Sequence, residues 1–247
     1  MRTIDLNADM GEYADDAQRH NEEALMALIS SCSIACGGHA GDEETMTHIA
    51  EMAKRHRVSI GAHPSYPDRV GFGRRSLKFD SEELRASLVL QIDSLRAVLN
   101  REGAPLRHIK PHGALYNDAA KDASLAKMIA EVAGDAILVG PPGSMLEKAA
   151  NDRNKKFAAE GFVDRLYQQS GALTPRGQAG AVIGDIPQRA EQASAIARGA
   201  TFRAADGTLS LIVQTLCIHS DSPGAVETAK AVRQRLTQDG FEVKAFS

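Results

Sequence analysis

Tryptophan is absent from the 247 residues, and aromatic side chains make up only 4% of them. That scarcity argues against a stacking platform for bases or sugars. A strong charge of either sign is also missing. The formal net charge of −3 gives no basic field, so nothing points to nucleic acid as a partner. There is no apolar run of about 18 residues, and no membrane span is expected. Met1–Asp5 leads straight into a strand-like segment without the apolar core of a signal peptide. Cysteine is sparse: Cys32, Cys36 and Cys217 are odd in number and form no CxxC pair. They read as reduced thiols of a cytoplasmic protein, each better suited to a small buried hydrophobe than to a reactive group. The G-x-S-x-G elbow, the phosphate loop and the dinucleotide fingerprint are absent, and Gly140-Pro141-Pro142-Gly143-Ser144 matches none of them.

What the chain does contain is a steady alternation of short apolar runs with amphipathic stretches. Strands are expected at Thr3–Asn7, Ser33–Cys36, Val58–Ala62, His108–His112, Ala136–Gly140, Lys156–Gly161 and Leu211–His219. Helical periodicity fills Glu22–Ser30, Glu43–Arg55, Ser81–Arg101, Ala123–Val132, Met145–Asn151, Pro187–Arg198 and Ala225–Gln238. Asp80 with Glu83 resembles a capping box for the third helix, and Gly103 reads as its stop. Asp221-Ser222-Pro223 reads as the cap of the last helix. Alternating strands and helices mean a mostly parallel sheet, open and doubly wound or closed into a barrel. No composition break divides residues 1–247, so one α/β domain is expected. Ser170–Gly184, rich in glycine, is long for a connection and is expected to be a mobile loop over a site.

The segment His108-Ile-Lys-Pro-His-Gly-Ala-Leu-Tyr-Asn117 ends a strand in a lysine, a histidine and Tyr116 rather than in plain turn residues. In extended backbone Lys110 and His112 share a side, and Gly113 permits a sharp turn or a close approach. Other strand ends follow suit. Asp5, Asn7 and Asp9 alternate to one side ahead of Glu12. Cys36-Gly-Gly-His39 leads to Asp42, which serves equally as a plain helix cap or a ligand contact. His63 opens a loop that carries Arg74 and Arg75, either a solvated turn or forks for an anion. Glu160–Tyr167 includes Asp164, and Cys217–Pro223 includes His219 and Asp221. In parallel α/β folds ligands gather at the carboxyl ends of strands. Acids, histidines, lysine and arginine arriving there suggest an enzyme for a small polar, anionic substrate. Histidines and acids could also hold a divalent metal that activates water, though no local H-x-x-x-H pattern exists.

Together these segments resemble the LamB/YcsF family, from Asp5–Glu12 through Ile34–Asp42, Gly61–Arg75, Lys110–Asn117, Glu160–Tyr167 and Arg176–Ile183 to Cys217–Pro223. Ala8, Ser33 and Ser220 stand where Cys, Asn and Gly are common in that family, and Ala8 argues against a thiol there. The resemblance implies a seven-stranded irregular β/α barrel similar to the glycoside hydrolase/deacetylase superfamily. It also implies ATP-dependent opening of 5-oxo-L-proline to L-glutamate, with ATP used by a complex that includes subunits B and C. On that reading Lys110 or Arg75 holds an anionic group. His112, His63 or an acid such as Asp5 deprotonates water, and His219 with Asp221 forms an acid/base pair. Asn7, Asp9, Glu12, His39, Asp42, Arg74, Tyr116, Asp164 and Arg176 contact substrate. A metal-dependent deacetylase or amidohydrolase and a non-catalytic ligand-binding barrel are the alternative readings.

Overall fold

The computed structural model describes residues 2–246. Seven parallel strands close into a barrel: β1 (Arg2–Met10), β2 (Ser31–Ala35), β3 (Ser59–His63), β4 (Leu106–Ile109), β5 (Ile137–Gly140), β6 (Phe157–Phe162) and β9 (Thr215–Ile218). They follow that order, and β9 pairs with both β6 and β1 to close the ring. β10 (Phe241–Val243) extends β1 at its start, and β7 (Phe202–Ala204) with β8 (Gly207–Leu209) forms a separate antiparallel hairpin. Of the two sheet forms open to the sequence, closure is the one adopted.

The strands alternate apolar outward and polar inward. Leu6, Ala8, Ile34, Ile60, Leu216 and Ile218 are buried in the main apolar core. Asn7 instead reaches Glu160 of β6 and the Lys110 ammonium beyond β4, strands that are not its neighbours, so its face lines the interior. Ser33 there meets His108, whose ring fills the space left by Gly61. A Cβ at Gly61 would fall 2.2 Å from that imidazole.

Eight helices surround the strands: α1 (Asp16–Met26), α2 (Glu43–His56), α3 (Ser81–Glu102), α4 (Gly113–Ala119), α5 (Ala123–Val132), α6 (Met145–Asn151), α7 (Ile186–Ala197) and α8 (Ala225–Gln238). α3 buries Leu84, Leu88, Ile92, Leu95 and Leu99, as their spacing predicts, at roughly 1.5–3 kcal/mol for each such side chain. Its ends match expectation as well. Asp80 accepts the amides of Glu82 and Glu83, and Gly103 closes it in the left-handed region.

Two helix starts differ from the sequence reading. α1 begins six residues before Glu22 because Asp15 caps the Gln18 amide. α8 begins after Gly224 without a side-chain cap, since Ser222 donates to Asp164 instead. α4, β7, β8 and β10 were not expected. The Ser170–Gly184 segment is stitched to the chain before it: Leu166 N–H bonds to Ala181 O, Thr174 N–H to Leu166 O, and the Arg165 guanidinium to Thr174 O. Among the described residues no helix is long and apolar enough to cross a membrane.

Asp80→Ala is expected to lower unfolding free energy by about 1 kcal/mol. In thermal melts that is a drop of roughly 2–4 °C for a chain of this size. An unchanged melting temperature would remove the cap from the account of α3.

Candidate active site

Side chains from five strand ends meet inside the carboxyl end of the barrel. Lys110 Nζ lies 2.8 Å from Asp9 Oδ1 and 2.8 Å from Glu160 Oε1, and it donates to Asn7 Oδ1 at 3.1 Å. Cys217 Sγ stands 3.2 Å away. Asn7 in turn donates to Glu160 Oε1 and Thr215 Oγ1. Burial alone would discharge the ammonium, but Asp9 and Glu160 outweigh it and hold its pKa well above the ordinary value. Burial likewise opposes the charge on Asp9, yet His63 and Lys110 keep its carboxyl well below the usual range.

Beside this pair lies a histidine cluster. His63 Nε2 is 3.3 Å from Asp9 Oδ2, 3.7 Å from Glu12 Oε1 and 3.0 Å from His112 Nδ1. His112 Nδ1 is 3.1 Å from the same Glu12 oxygen, and His39 Nε2 is 2.6 Å from it. Glu12, His39, His63 and His112 each bring one ligand atom within 4.8 Å of the others, as do Asp9, Cys217 and His219 in a second group. Burial pushes His39 down to about 4. At His63 burial also pulls downward, but Asp9 and Glu12 prevail and the net shift is upward.

The loops that carry these groups are tied together. Gly113 has φ +56°, and a Cβ there would fall 2.6 Å from Gly73 O, so both expected reasons for glycine hold. Phe72 adopts φ 52°, an uncommon conformation for a residue with a side chain, and its carbonyl accepts from His112 Nε2 at 2.9 Å. A cleft of about 280 Å³, lined by Glu12, His39, Thr45, Arg69 and Phe72 among others, opens beside the cluster.

Not every residue singled out in the sequence arrives here. Asp5 lies two positions below Asn7, where Ser30, Ser31 and Thr215 hydroxyls all donate to it, and burial raises its carboxyl to about 6. Asp42 caps α2 through the Thr45 amide. Arg75 pairs with Asp68. His219 pairs with Asp164 at 2.8 Å rather than with Asp221, because β6 carries a buried acid to it while the chain turns Asp221 outward. Asp221 binds Arg74 at 2.5 Å and lies 3.7 Å from Arg176 at the rim. The Tyr116 hydroxyl and Glu160 Oε2 are buried without hydrogen-bond partners.

Two acids were overlooked as site groups. Glu160 is the Lys110 partner, and the signal for it was an acid inside an otherwise apolar strand. Glu22 accepts the Gly11 and Glu12 amides at 2.6 and 3.1 Å and so sets the turn that presents Glu12. Burial raises its carboxyl to about 8.

A family model described as LamB/YcsF family matches residues 4–247. The chain belongs to the LamB/YcsF family. It is 43% identical over 247 residues to the 5-oxoprolinase A subunit of Bordetella pertussis, with 98% of each chain covered. Its fold matches the lactam utilization protein of Thermus thermophilus with TM-score 0.89 and 40% identity, over 99% of this chain and 100% of that one. A peptidoglycan N-acetylglucosamine deacetylase catalytic domain of Eubacterium rectale shares the fold alone, at TM-score 0.51 and 12% identity over 100% of this chain and 89% of that one.

The buried Asp164 predicts an acid limb in stability. Burial opposes its charge, but His219 and the Ser222 hydroxyl lower its pKa to about 2, below the ordinary 3.8. A depressed carboxyl contributes stability that is complete above about pH 4 and lost as pH falls through about 2, on the order of 2 kcal/mol. Urea melts from pH 6 to 2 should therefore show a shallower acid loss in Asp164→Asn than in the parent chain. Parallel curves would count against the pairing.

Proposed function

We propose that the chain is the A subunit of an ATP-dependent 5-oxoprolinase, opening 5-oxo-L-proline to L-glutamate. The observation that carries this reading is the near full-length identity to a protein of that name. The close fold match to a lactam utilization protein and the polar barrel mouth support it. The word "subunit" in the relatives' name supports a shared assembly, which we take to include subunits B and C, with ATP consumed at the level of the complex. Three free, buried cysteines accord with a reducing, cytoplasmic setting.

A lactam carbonyl is a poor electrophile because nitrogen donates into it. Transfer of a phosphoryl group from ATP to the lactam oxygen removes that resonance and opens the carbon to water. The ring C–N bond then breaks, the nitrogen takes a proton, and a second water releases phosphate from the acyl phosphate.

The chain's residues divide this work. Asp9, Glu12, His63 and His112 position and deprotonate the attacking water. Lys110 offsets negative charge that builds on the substrate oxygens. His219, oriented by Asp164 and stacked on Phe162 at 5.2 Å, delivers the proton to the leaving nitrogen. Arg74 and Arg176, about a third exposed at the rim, take the substrate carboxylate.

Glutamate release from 5-oxoproline and ATP tests the reading, first with this chain alone and then with subunits B and C. Release is expected only in the mixture. His219→Gln should reduce it by about 10²–10⁴-fold. Lys110→Ala should abolish it. No release with folded partners would reject the reading and leave a metal-dependent hydrolase or a ligand-binding barrel.

A further inference from the structure

The proton inventory of the histidine cluster does not close. His63 Nδ1 faces the Lys110 carbonyl at 2.7 Å and His112 Nε2 faces the Phe72 carbonyl at 2.9 Å. A carbonyl only accepts, so a ring proton sits on each of those nitrogens. The other two nitrogens then turn their lone pairs towards each other, 3.0 Å apart. Glu12 Oε1 lies 3.1 Å from His112 Nδ1, and Asp9 Oδ2 lies 3.3 Å from His63 Nε2. An added proton on His63 bridges the two rings but leaves His112 Nδ1, already an acceptor, against the Glu12 carboxylate. A proton on both rings sets two N–H groups against each other. No placement of protons satisfies all four atoms.

A cation does. Ligands at about 2.0–2.2 Å in a tetrahedron stand roughly 3.3–3.6 Å apart. The separations among His63 Nε2, His112 Nδ1 and Glu12 Oε1 are 3.0, 3.1 and 3.7 Å. The two imidazole planes are 88° apart, so one ion between them can lie in both. The outer nitrogens bonded to carbonyls are the arrangement that orients metal-bound imidazoles.

We propose that His63 Nε2, His112 Nδ1 and the Glu12 carboxylate bind one divalent transition-metal ion, with Asp9 beside the remaining position. His39 does not join them as a ligand. Its ring stacks on His112 at 3.6 Å with the planes 4° apart, and an ion lying in one of two parallel planes cannot lie in the other. His39 is a positioning residue that donates to Glu12 at 2.6 Å. When bound, such an ion lowers the pKa of a coordinated water. Imidazole and carboxylate donors suit Zn²⁺, which serves as the probe.

The inference stands on donor geometry and does not rest on the lactam reading, since it is measured without substrate. The chelator-treated full-length chain is titrated with Zn²⁺ by calorimetry, and metal retained after dialysis is measured by mass spectrometry. One tightly held equivalent is expected in the parent chain. His63→Ala and His112→Ala should lose it, with folding checked by circular dichroism. His39→Ala should weaken binding by about 10–100-fold. His48→Ala, on the outer face of α2, should bind like the parent. Absence of a stoichiometric site in the parent chain overturns the proposal whatever the variants do, as does parental affinity in a folded His63→Ala. If His39→Ala loses the ion as completely as the His63 variant, the assigned ligand set is wrong.

Discussion

An ammonium ion buried between two carboxylates is the constraint on which this barrel depends. Removing Lys110, Asp9 and Glu160 from water costs several kcal/mol per ion, and only close, well-aligned partners recover it. The sequence meets that demand from four strands, with Asp9 and Asn7 from β1, Lys110 after β4, Glu160 from β6 and Thr215 from β9. Taking away one member leaves the others charged and unpaired, at a cost of about 3–5 kcal/mol. Stability and site chemistry therefore draw on the same atoms.

The interior is divided along its axis. Near the carboxyl rim, histidines and lysine hold Asp9 and Glu12 ionised against burial. Towards the opposite end, Asp5 has only hydroxyl donors, which reduce but do not cancel the effect of burial. Three acids on or just beyond one strand thus have different proton affinities because their neighbours differ, and only the upper two face groups able to exchange protons with a substrate. The deacetylase-like barrels share the shell without fixing this interior, which is where function resides.

Much of the shell was legible in the sequence. The strand–helix alternation located every barrel strand, and the titratable residues at strand ends marked Asp9, Glu12, His39, His63, Lys110, His112 and His219. Period two correctly put Asp5 on the same face as Asp9 but carried no information on depth, so Asp5 read as a site residue. His219 and Asp221 stand two apart, as Lys110 and His112 do, yet the turn after β9 separates them. Pairing with Asp164 is a contact across 55 residues that no local spacing encodes. Asp42 and Arg75 found partners within seven residues, and short-range satisfaction of that kind is the commoner fate of a polar side chain in a loop. The cap expected at Ser222 failed for a related reason: a buried carboxylate is a stronger claimant on a hydroxyl than a helix end.

The hydrogen bonds of Asn7 and Asp5 have a kinetic side. Asn7 is joined to Lys110, Glu160 and Thr215 across sequence separations of 103, 153 and 208 residues, and Asp5 to Thr215 across 210. Each contact closes a loop comparable to a whole small protein, so its entropy must be met before the contact returns anything. The first strand, synthesised earliest, cannot bury its polar face until the last barrel strand has arrived. Until then it presents Asp5, Asn7 and Asp9 to water, where their charge favours solution over association. The residues that build the site thus also keep the unfinished barrel soluble while it waits to close.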